Sequence, residues 1–208
     1  MSREAIRSIQ TGLNTLGYKP GKINGLFGPN TEEAAERWLA AGGKAASVPV
    51  APKPVSSATI YQGSVRHPVR EIIVHCAATQ PDWMAGRPLA EKVAEIRRWH
   101  TVKGWRDIGY HWIIDRDGKV LPGRAETEIG AHTVGRNSGT IGICLLGGHR
   151  SSETDAFLEN FTQQQDMTLR QTIDAISLRT SITRISGHNE YATKACPGFN
   201  VPIWLKGA

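Results

Sequence analysis

The sequence predicts an α/β fold in which helices flank a central mixed β-sheet, preceded by a small helical domain. From residue 65 onward, short apolar runs and longer segments of helical period follow in the order β, α, β, β, β, α, β. One pair of strands is separated by an Asp-Gly turn and is expected to be antiparallel. A segment rich in Pro, Ala and Ser precedes this region. These observations predict two domains, residues 1–42 and 65–208, joined by a linker at residues 43–64.

Two segments of the N-terminal domain show the apolar spacing of an amphipathic helix. The first ends at Gly17, and the second begins near Asn30 and Thr31. The apolar positions are Ile6, Ile9, Leu13 and Leu16 in the first helix and Ala34, Ala35, Trp38 and Leu39 in the second. So short a unit has a small core, and we expect it to unfold easily in isolation.

The predicted linker contains Pro49, Pro52 and Pro54 and shows neither a helical nor an alternating period. Such a segment is semi-extended where the prolines lie. We expect it to let the two domains move independently while keeping each close to the target of the other.

Strands and a hairpin are predicted at four places in the C-terminal domain. The apolar runs at 72–75 and 182–186 are short, and the run at 140–148 shows no polar alternation, which predicts a fully buried strand. Residues 110–123 predict a hairpin whose turn contains the Asp117-Gly118 pair.

Two helices are predicted in the same domain. The first runs from Leu89 to Lys103 and ends before Gly104. Its inward residues are expected to be Leu89, Val93, Ile96 and either Trp99 or His100. The second begins at a capping box formed by Thr162 and Gln165 and ends near Thr180. Its inward residues are expected to be Leu169, Ile173 and Ile176.

Composition limits the class of protein. Of the 208 residues, 39% are hydrophobic and 21% are charged, which is ordinary for a globular protein. The net charge of +6 favours an anionic partner. Because the basic residues are dispersed and accompany no nucleic-acid-binding motif, we expect no specific nucleic-acid partner. Polymers of the bacterial envelope, which carry carboxylates and phosphates, suit the same charge.

The first twenty residues contain no continuous apolar run, and no stretch approaches the roughly 18 apolar residues of a membrane span. We therefore expect a cytoplasmic product without stable membrane insertion. The cysteines Cys76, Cys144 and Cys196 are odd in number and do not indicate a disulfide framework, so we expect reduced thiols.

Two histidines and one cysteine stand out as candidate metal ligands. His75 and His188 each follow an apolar strand directly, where loops present side chains to a cleft, and Cys196 lies shortly after His188. Two imidazoles and a thiolate form a three-ligand zinc site with a fourth position open, which is more often catalytic than structural. Lys194 adds a cation where charge can develop on a substrate. This combination suits an amide hydrolase.

The remaining histidines and Cys76 have other expected roles. We predict surface positions for His67 and His149, and packed, hydrogen-bonded side chains for His100 and His111. Cys76 follows His75 in the strand, so its side chain is expected on the opposite face. It is therefore predicted to be a core thiol rather than a fourth ligand.

Four segments together resemble the type 2 N-acetylmuramoyl-L-alanine amidases, above all the amidase-type lysozymes of bacteriophages. The segments are HCAAT, GWRDIGYHWIIDRDGKV, GAHTVGRNSGTIGICLLGG and GHNEYATKACPGF. The resemblance covers residues 70 to 205 in the right order. It implies Zn²⁺ bound by His75, His188 and Cys196.

The same resemblance implies roles for further residues. Lys194 would stabilise the tetrahedral oxyanion, and Tyr110 would hydrogen-bond the attacking water or the developing oxyanion. His132 and Asn137 would bind the muropeptide. Glu126 and Glu128 lie just before the loop that contains His132 and Asn137, and whether either glutamate assists catalysis stays open.

Residues 1–42 resemble the three-helix peptidoglycan-binding domain found at the ends of many cell-wall hydrolases. The matching residues are Gln10, Leu13, Leu16, Gly17, Tyr18, Asn24, Gly25, Phe27, Gly28 and Thr31. Asn24 stands where the family usually has Asp, a change that affects a loop cap without removing the fold. The resemblance implies wall binding, although most of these residues would shape a turn and fill a core in any case.

These resemblances imply a phage endolysin that hydrolyses the amide bond between N-acetylmuramic acid and L-alanine in peptidoglycan. We expect a monomer, held in the host cytoplasm and released to the periplasm and cell wall at lysis. Two alternatives stay open. Peptidoglycan recognition proteins share this fold and bind muropeptides without cutting them, although non-catalytic members typically lose the cysteine that is present here. Some phage amidases also inhibit a phage RNA polymerase.

Overall fold

The structure is a computed structural model that describes residues 2–40, 42 and 59–206. The chain divides into two compact units, Met1–Pro54 and Val55–Ala208. Residues 43–58, most of the predicted linker, lie outside the described residues.

The linker was predicted to extend to residue 64, and this boundary is wrong. Two short antiparallel strands, β1 (Tyr61–Gln62) and β2 (His67–Pro68), precede the central sheet. Gln62 is fully buried; its amide group donates to the carbonyl of Thr140 (2.9 Å) and accepts from the backbone amide of Gly139 (2.9 Å). Strands of two residues with a buried polar side chain show no apolar period, so no sequence pattern indicated them.

The N-terminal unit contains the two helices that its apolar spacing predicted. They are α1 (Arg3–Thr15) and α2 (Pro29–Ala40), and no third helix occurs within residues 2–40 and 42. The hydroxyl of Ser2 caps α1 by accepting from the amide of Ala5 (3.2 Å). The buried members of its apolar cluster are Leu13, Tyr18 and Ala34.

A buried glutamine holds the loop between these helices. The side chain of Gln10 is 1% exposed. Its Nε2 donates to the carbonyl of Leu26 (3.0 Å) and to the hydroxyl of Thr31 (3.0 Å), while its Oε1 accepts from the amides of Asn24 (3.1 Å) and Gly25 (2.9 Å). The motif residues of this unit are therefore bonded to one another inside it.

Five strands form the central sheet of the second unit. They are β3 (Glu71–Cys76), β4 (Trp112–Ile114), β5 (Val120–Pro122), β6 (Thr140–Leu145) and β7 (Arg184–Gly187). Their order is β5-β4-β6-β3-β7; β5 is antiparallel to β4, as the predicted hairpin requires, and the other pairs are parallel. The mixed sheet is confirmed. Its parallel strands all end at one edge.

The described residues of this unit, 59–206, contain four α-helices. They are α3 (Leu89–Val102), α4 (Phe157–Asn160), α5 (Gln163–Ser177) and α6 (Val201–Leu205). The sequence predicted α3 and α5 but not the two short helices, which are too short to show a period. The capping box before α5 is confirmed, since Thr162 and Gln165 exchange two hydrogen bonds of 3.1 Å. In α3, His100 rather than Trp99 is buried.

Apolar side chains cover both faces of the sheet. On one face, Val74 and Ile143 pack with the buried residues of α5 and α6. On the other face, Ile113 packs with α3. Every residue of β3 and β6 is buried, which explains why neither strand shows polar alternation. None of the helices in the described parts of the chain is long and apolar enough to cross a membrane.

Candidate active site

Strand register brings His75 and His188 together. Val74 in β3 pairs with Gly187 in β7, so the two histidines that follow are neighbours where the parallel strands end. Their ring centroids lie 4.7 Å apart. Gly187 has no room for a side chain, because a Cβ there would lie 2.4 Å from Oδ1 of Asn189. The glycine therefore lets the end of β7 lie close to Asn189 and Pro197.

Cys196 reaches the same edge from the loop that follows a 3-10 helix at His188–Glu190. The backbone amide of Cys76 donates to Sγ of Cys196 (3.3 Å), and Nδ1 of His75 lies 3.8 Å from the same sulfur. Three residues further on, Phe199 is buried in the aromatic part of the core. This anchor fixes the end of the loop and so positions the cysteine.

The predicted ligand atoms of His75, His188 and Cys196 lie within 4.8 Å of one another. His75 is 1% exposed, whereas His188 and Cys196 are half-buried. The group is closed on the side of the sheet and accessible on the side of the loop. Three donors with one accessible side can hold a metal ion and leave it a free coordination position.

Burial determines the charge of the two histidines. Burial, and next the imidazole of His132, lower the pKa of His75 well below its usual value. Burial and the cation of Lys194 lower the pKa of His188. Both imidazoles are therefore neutral at neutral pH, which is the state in which histidine binds a metal ion.

The two predicted catalytic side chains lie beside this group. The ring centroid of Tyr110 is 5.3 Å from that of His75. Burial raises the pKa of Tyr110 well above its usual value, so the phenol keeps its proton. Lys194 is exposed on the wall of a cleft of about 700 Å³, near enough for its charge to act on His188.

His132 and Asn137, predicted to bind the muropeptide, lie in a loop with internal hydrogen bonds. Nδ1 of His132 is 3.0 Å from Nε2 of His75, and the side chain is buried. Oδ1 of Asn137 accepts from the backbone amides of His132 and Thr133 (both 2.8 Å) and so closes a turn. The structure shows protein partners for both side chains, and muropeptide binding by them stays a prediction.

The remaining histidines match their predicted positions with one exception. His100 and His111 are buried, and Nδ1 of each accepts a hydrogen bond from a backbone amide (3.0 and 2.9 Å). His149 is exposed. His67 was predicted at the surface but is half-buried, because it lies in β2 and pairs with β1.

Glu126 and Glu128, which the sequence left unassigned, have partners outside the ligand group. Glu126 accepts from Nε1 of Trp112 (2.7 Å) and forms an ion pair with Arg179. Glu128 forms an ion pair with Arg106 (3.0 Å). Cys76 is buried in the core on the face of the sheet that packs against α5, as predicted.

Sequence reasoning missed three groups close to the ligands. They are the backbone amide of Cys76, the hydroxyl of Thr133, which is 3.4 Å from Nε2 of His75, and the hydroxyl of Thr140, which is 3.3 Å from Nε2 of His132. Threonine is common and a backbone amide has no residue type. No sequence signal could therefore have identified them without the strand register.

Models of known protein families match both units of this chain. The family model described as N-acetylmuramoyl-L-alanine amidase matches residues 65–199 of this chain. The chain belongs to the N-acetylmuramoyl-L-alanine amidase family. In the N-terminal unit of this amidase, a family model for peptidoglycan binding domains matches residues 2–38.

A phage endolysin and two solved structures are similar to this amidase. It is 41% identical to the endolysin of Escherichia phage T7 over 133 residues, which cover 64% of this chain and 83% of the relative. The amidase LysC from Clostridium intestinale URNW is 26% identical with a TM-score of 0.53, covering 66% of this chain and 81% of that one. Bumblebee PGRP-SA, at 23% identity and a TM-score of 0.56, shares the fold over 73% of this chain and 86% of its own.

Proposed function

We propose that this amidase depends on zinc, held by His75, His188 and Cys196. The observation that carries the proposal is the convergence of their ligand atoms within 4.8 Å at the edge of the sheet. Family membership supplies the reaction, hydrolysis of the amide bond between N-acetylmuramic acid and L-alanine in peptidoglycan. The endolysin relatives supply the setting, lysis of a bacterial host by a phage protein.

The donor set suits zinc. Two neutral imidazoles and one thiolate are common zinc ligands, and three protein ligands leave one position for water or substrate. The hydrogen bond with the Cys76 thiol and burial raise the pKa of Cys196 well above its usual value. Formation of the thiolate therefore requires a neighbouring cation. The backbone amide of Cys76, 3.3 Å from the sulfur, stabilises the negative charge that results.

A bound zinc ion would supply Lewis acidity for the scissile carbonyl and for the attacking water. Lys194 would place its ammonium group beside the carbonyl oxygen, which gains negative charge as the water oxygen adds to the carbonyl carbon. Tyr110, kept protonated by burial, would donate a hydrogen bond to that oxygen or to the water. The carbon–nitrogen bond then breaks, and the amino group of L-alanine leaves with a proton that came from the water.

The N-terminal unit is proposed to bind the wall on which the catalytic unit acts. Its match to peptidoglycan binding domains over residues 2–38 supports this role. A tether between the two units raises the effective concentration of the catalytic site near the wall. In this proposal the protein is a monomer that is held in the host cytoplasm and reaches the periplasm and cell wall at lysis.

Mass analysis of digested peptidoglycan tests the proposed reaction and its metal. Purified sacculi are incubated with the full chain as prepared, after treatment with a chelator, and after zinc is returned. The expected products are glycan strands without stem peptides and free stem peptides that begin with L-alanine. Their release should be lost after treatment with the chelator and restored when zinc is returned. New reducing sugar ends would contradict the amidase mechanism, and release that is unaffected by the chelator would contradict zinc dependence.

A further inference from the structure

We propose that His132 and Thr140 form a hydrogen-bond relay that fixes the tautomer of His75. In this tautomer Nε2 of His75 carries the proton, and Nδ1 presents its lone pair on the side of Cys196. The use of that lone pair for zinc rests on the proposed function. The tautomer itself is a property of the folded chain and can be measured without a metal ion.

The relay consists of two contacts between buried groups. Nε2 of His75 lies 3.0 Å from Nδ1 of His132, and Nε2 of His132 lies 3.3 Å from the hydroxyl of Thr140. His75, His132 and Thr140 are 1%, 7% and 4% exposed. Water is therefore excluded as an alternative partner for these nitrogens. Each contact must join one donor to one acceptor, since a buried polar group without a partner is destabilising.

Thr140 determines the direction of both hydrogen bonds. Its hydroxyl donates to the carbonyl of Arg136 (2.7 Å), with that of Asn137 at 3.1 Å, and carbonyl oxygens can only accept. The single hydroxyl hydrogen is thus committed, so Nε2 of His132 must be the donor towards Thr140.

The direction of the hydrogen bond between His132 and Thr140 determines that of the bond between His75 and His132. A neutral imidazole that donates from Nε2 has a lone pair at Nδ1, so Nδ1 of His132 accepts and Nε2 of His75 donates. Nδ1 of His75 is then unprotonated, and it is the nitrogen that lies 3.8 Å from Sγ of Cys196. The hydroxyl of Thr133 lies 3.2 Å from Nδ1 of His132 and 3.4 Å from Nε2 of His75, so it can donate to the first nitrogen and accept from the second, which agrees with this direction.

Two glycines and one turn hold the ring of His132 in place. A Cβ at Gly142 would lie 2.6 Å from the ring, and a Cβ at Gly130 would lie 2.5 Å from it. The turn closed by Asn137 holds the backbone amide of His132. With both ring nitrogens occupied inside the protein, His132 is a positioning residue for His75 rather than a contact for the muropeptide.

The first test measures tautomers in the zinc-free protein. The full chain is labelled with ¹⁵N, stripped of metal, and studied by long-range ¹H–¹⁵N correlation at about pH 7.5, where neutral imidazoles dominate. We expect His75 and His132 both to carry the proton at Nε2. A proton at Nδ1 of His75 in the wild-type protein would overturn the relay, whatever the enzyme activity.

The second test compares two substitutions of His132 for zinc affinity, measured by competition with a chelator. His132→Leu removes the acceptor, whereas His132→Asn keeps an acceptor oxygen near the position of Nδ1. We expect His132→Leu to weaken zinc binding by about 10- to 100-fold and to give a mixture of tautomers at His75. His132→Asn should stay close to the wild-type affinity and tautomer.

Thr180→Val is the matched control, because Thr180 is fully buried and its hydroxyl accepts from Ile60 and donates to Val69 at the opposite end of β3. It should lower stability without changing the tautomer or the zinc affinity. Equal zinc affinities for the Leu and Asn variants would overturn the relay. A protein with the expected tautomers that binds no zinc would instead overturn the proposed metal site and leave the relay standing.

Discussion

The two units of this amidase are stabilised in different ways. The catalytic unit has a five-stranded sheet with apolar side chains on both faces, and many of these residues are fully buried. The N-terminal unit has one small apolar cluster and a buried glutamine, Gln10, whose amide bonds to the backbone and side chains of the loop around it.

This difference shows how size limits the means of stabilisation. A sheet covered on both faces removes much apolar surface from water. The resulting stabilisation offsets the cost of burying polar groups such as His75 at the edge of the sheet. The N-terminal unit, of which residues 2–40 and 42 are described, buries little apolar area, so a single amide with all its hydrogen bonds satisfied contributes a large share of its stability. Chemistry is therefore expected from the large unit, and attachment from the small one.

Loss of a metal ligand should give the largest difference between the two units, because it should abolish catalysis and leave wall binding intact. Cys196→Ser replaces the thiolate donor, and we expect the release of stem peptides to fall below detection together with the zinc content. Sedimentation with purified sacculi should be unchanged, because the N-terminal unit is untouched. Lysis with bound zinc retained in this variant would show that the sulfur is not required.

The next largest effect is expected for Lys194→Ala. Removal of a group that stabilises the oxyanion lowers kcat by about 10²- to 10³-fold. Zinc content and wall binding should not change, since Lys194 is exposed and is not one of the three ligands. Steady-state kinetics on a soluble muropeptide measures the effect, with Lys103→Ala, another exposed lysine, as the control. Normal kcat in the Lys194 variant would remove the residue from the mechanism.

Gln10→Leu should act on the N-terminal unit alone. The substitution leaves the buried amide of Gly25 without its acceptor and removes the donor to Thr31, and an unsatisfied buried group costs about 1–3 kcal/mol. We expect faster amide hydrogen exchange across residues 2–40 and weaker wall binding. Turnover of a soluble muropeptide should stay normal. Asn14→Ala, at an exposed position on the same helix, is the control. A change in exchange within the catalytic unit would show that the units are not independent.

Mild acid should destabilise the catalytic unit selectively. Burial lowers the pKa of His100 to about 4, below the value of about 6.5 in the unfolded chain, so the unfolded state binds more protons between these values. The contribution to stability is complete above about pH 6.5 and is lost as pH falls towards 4, by at most about 1.4 kcal/mol per pH unit. Residues 2–40 contain no histidine.

Urea unfolding at about pH 7 and about pH 5, followed by hydrogen exchange in each unit, measures this difference within the titration window of histidine. His100→Asn keeps an acceptor for the backbone amide that His100 binds and should reduce the pH dependence. Equal acid sensitivity in the two units would contradict the role assigned to the buried histidines.

Most long elements could be predicted from the sequence because their signals are local. The helices α3 and α5, the hairpin and the buried strands follow from apolar period, a capping box and an Asp-Gly turn. The strand at Tyr61–Gln62 could not be predicted, since Gln62 is buried through hydrogen bonds to residues far along the chain. The short helices α4 and α6 lacked the length for a period.

The candidate site shows the same limit. His75, His188 and Cys196 could be selected from their residue types, their positions after strands and their resemblance to a family, and the structure brings them together. His132 and Asn137 could be placed near the site, but the sequence did not show that their side chains bond within the protein. Such contacts depend on distances between segments that are far apart in sequence.

By itself, the sequence determined the mixed α/β fold, the family and the residues able to bind a metal ion, because local period and residue chemistry carry that information. The tertiary structure alone decided how these residues are oriented. The register of β3 beside β7 places His188 next to His75. The start of β6 places the hydroxyl of Thr140 3.3 Å from Nε2 of His132. Strand pairing joins distant parts of the chain, and in the folded protein Nδ1 of His75 lies 3.8 Å from Sγ of Cys196.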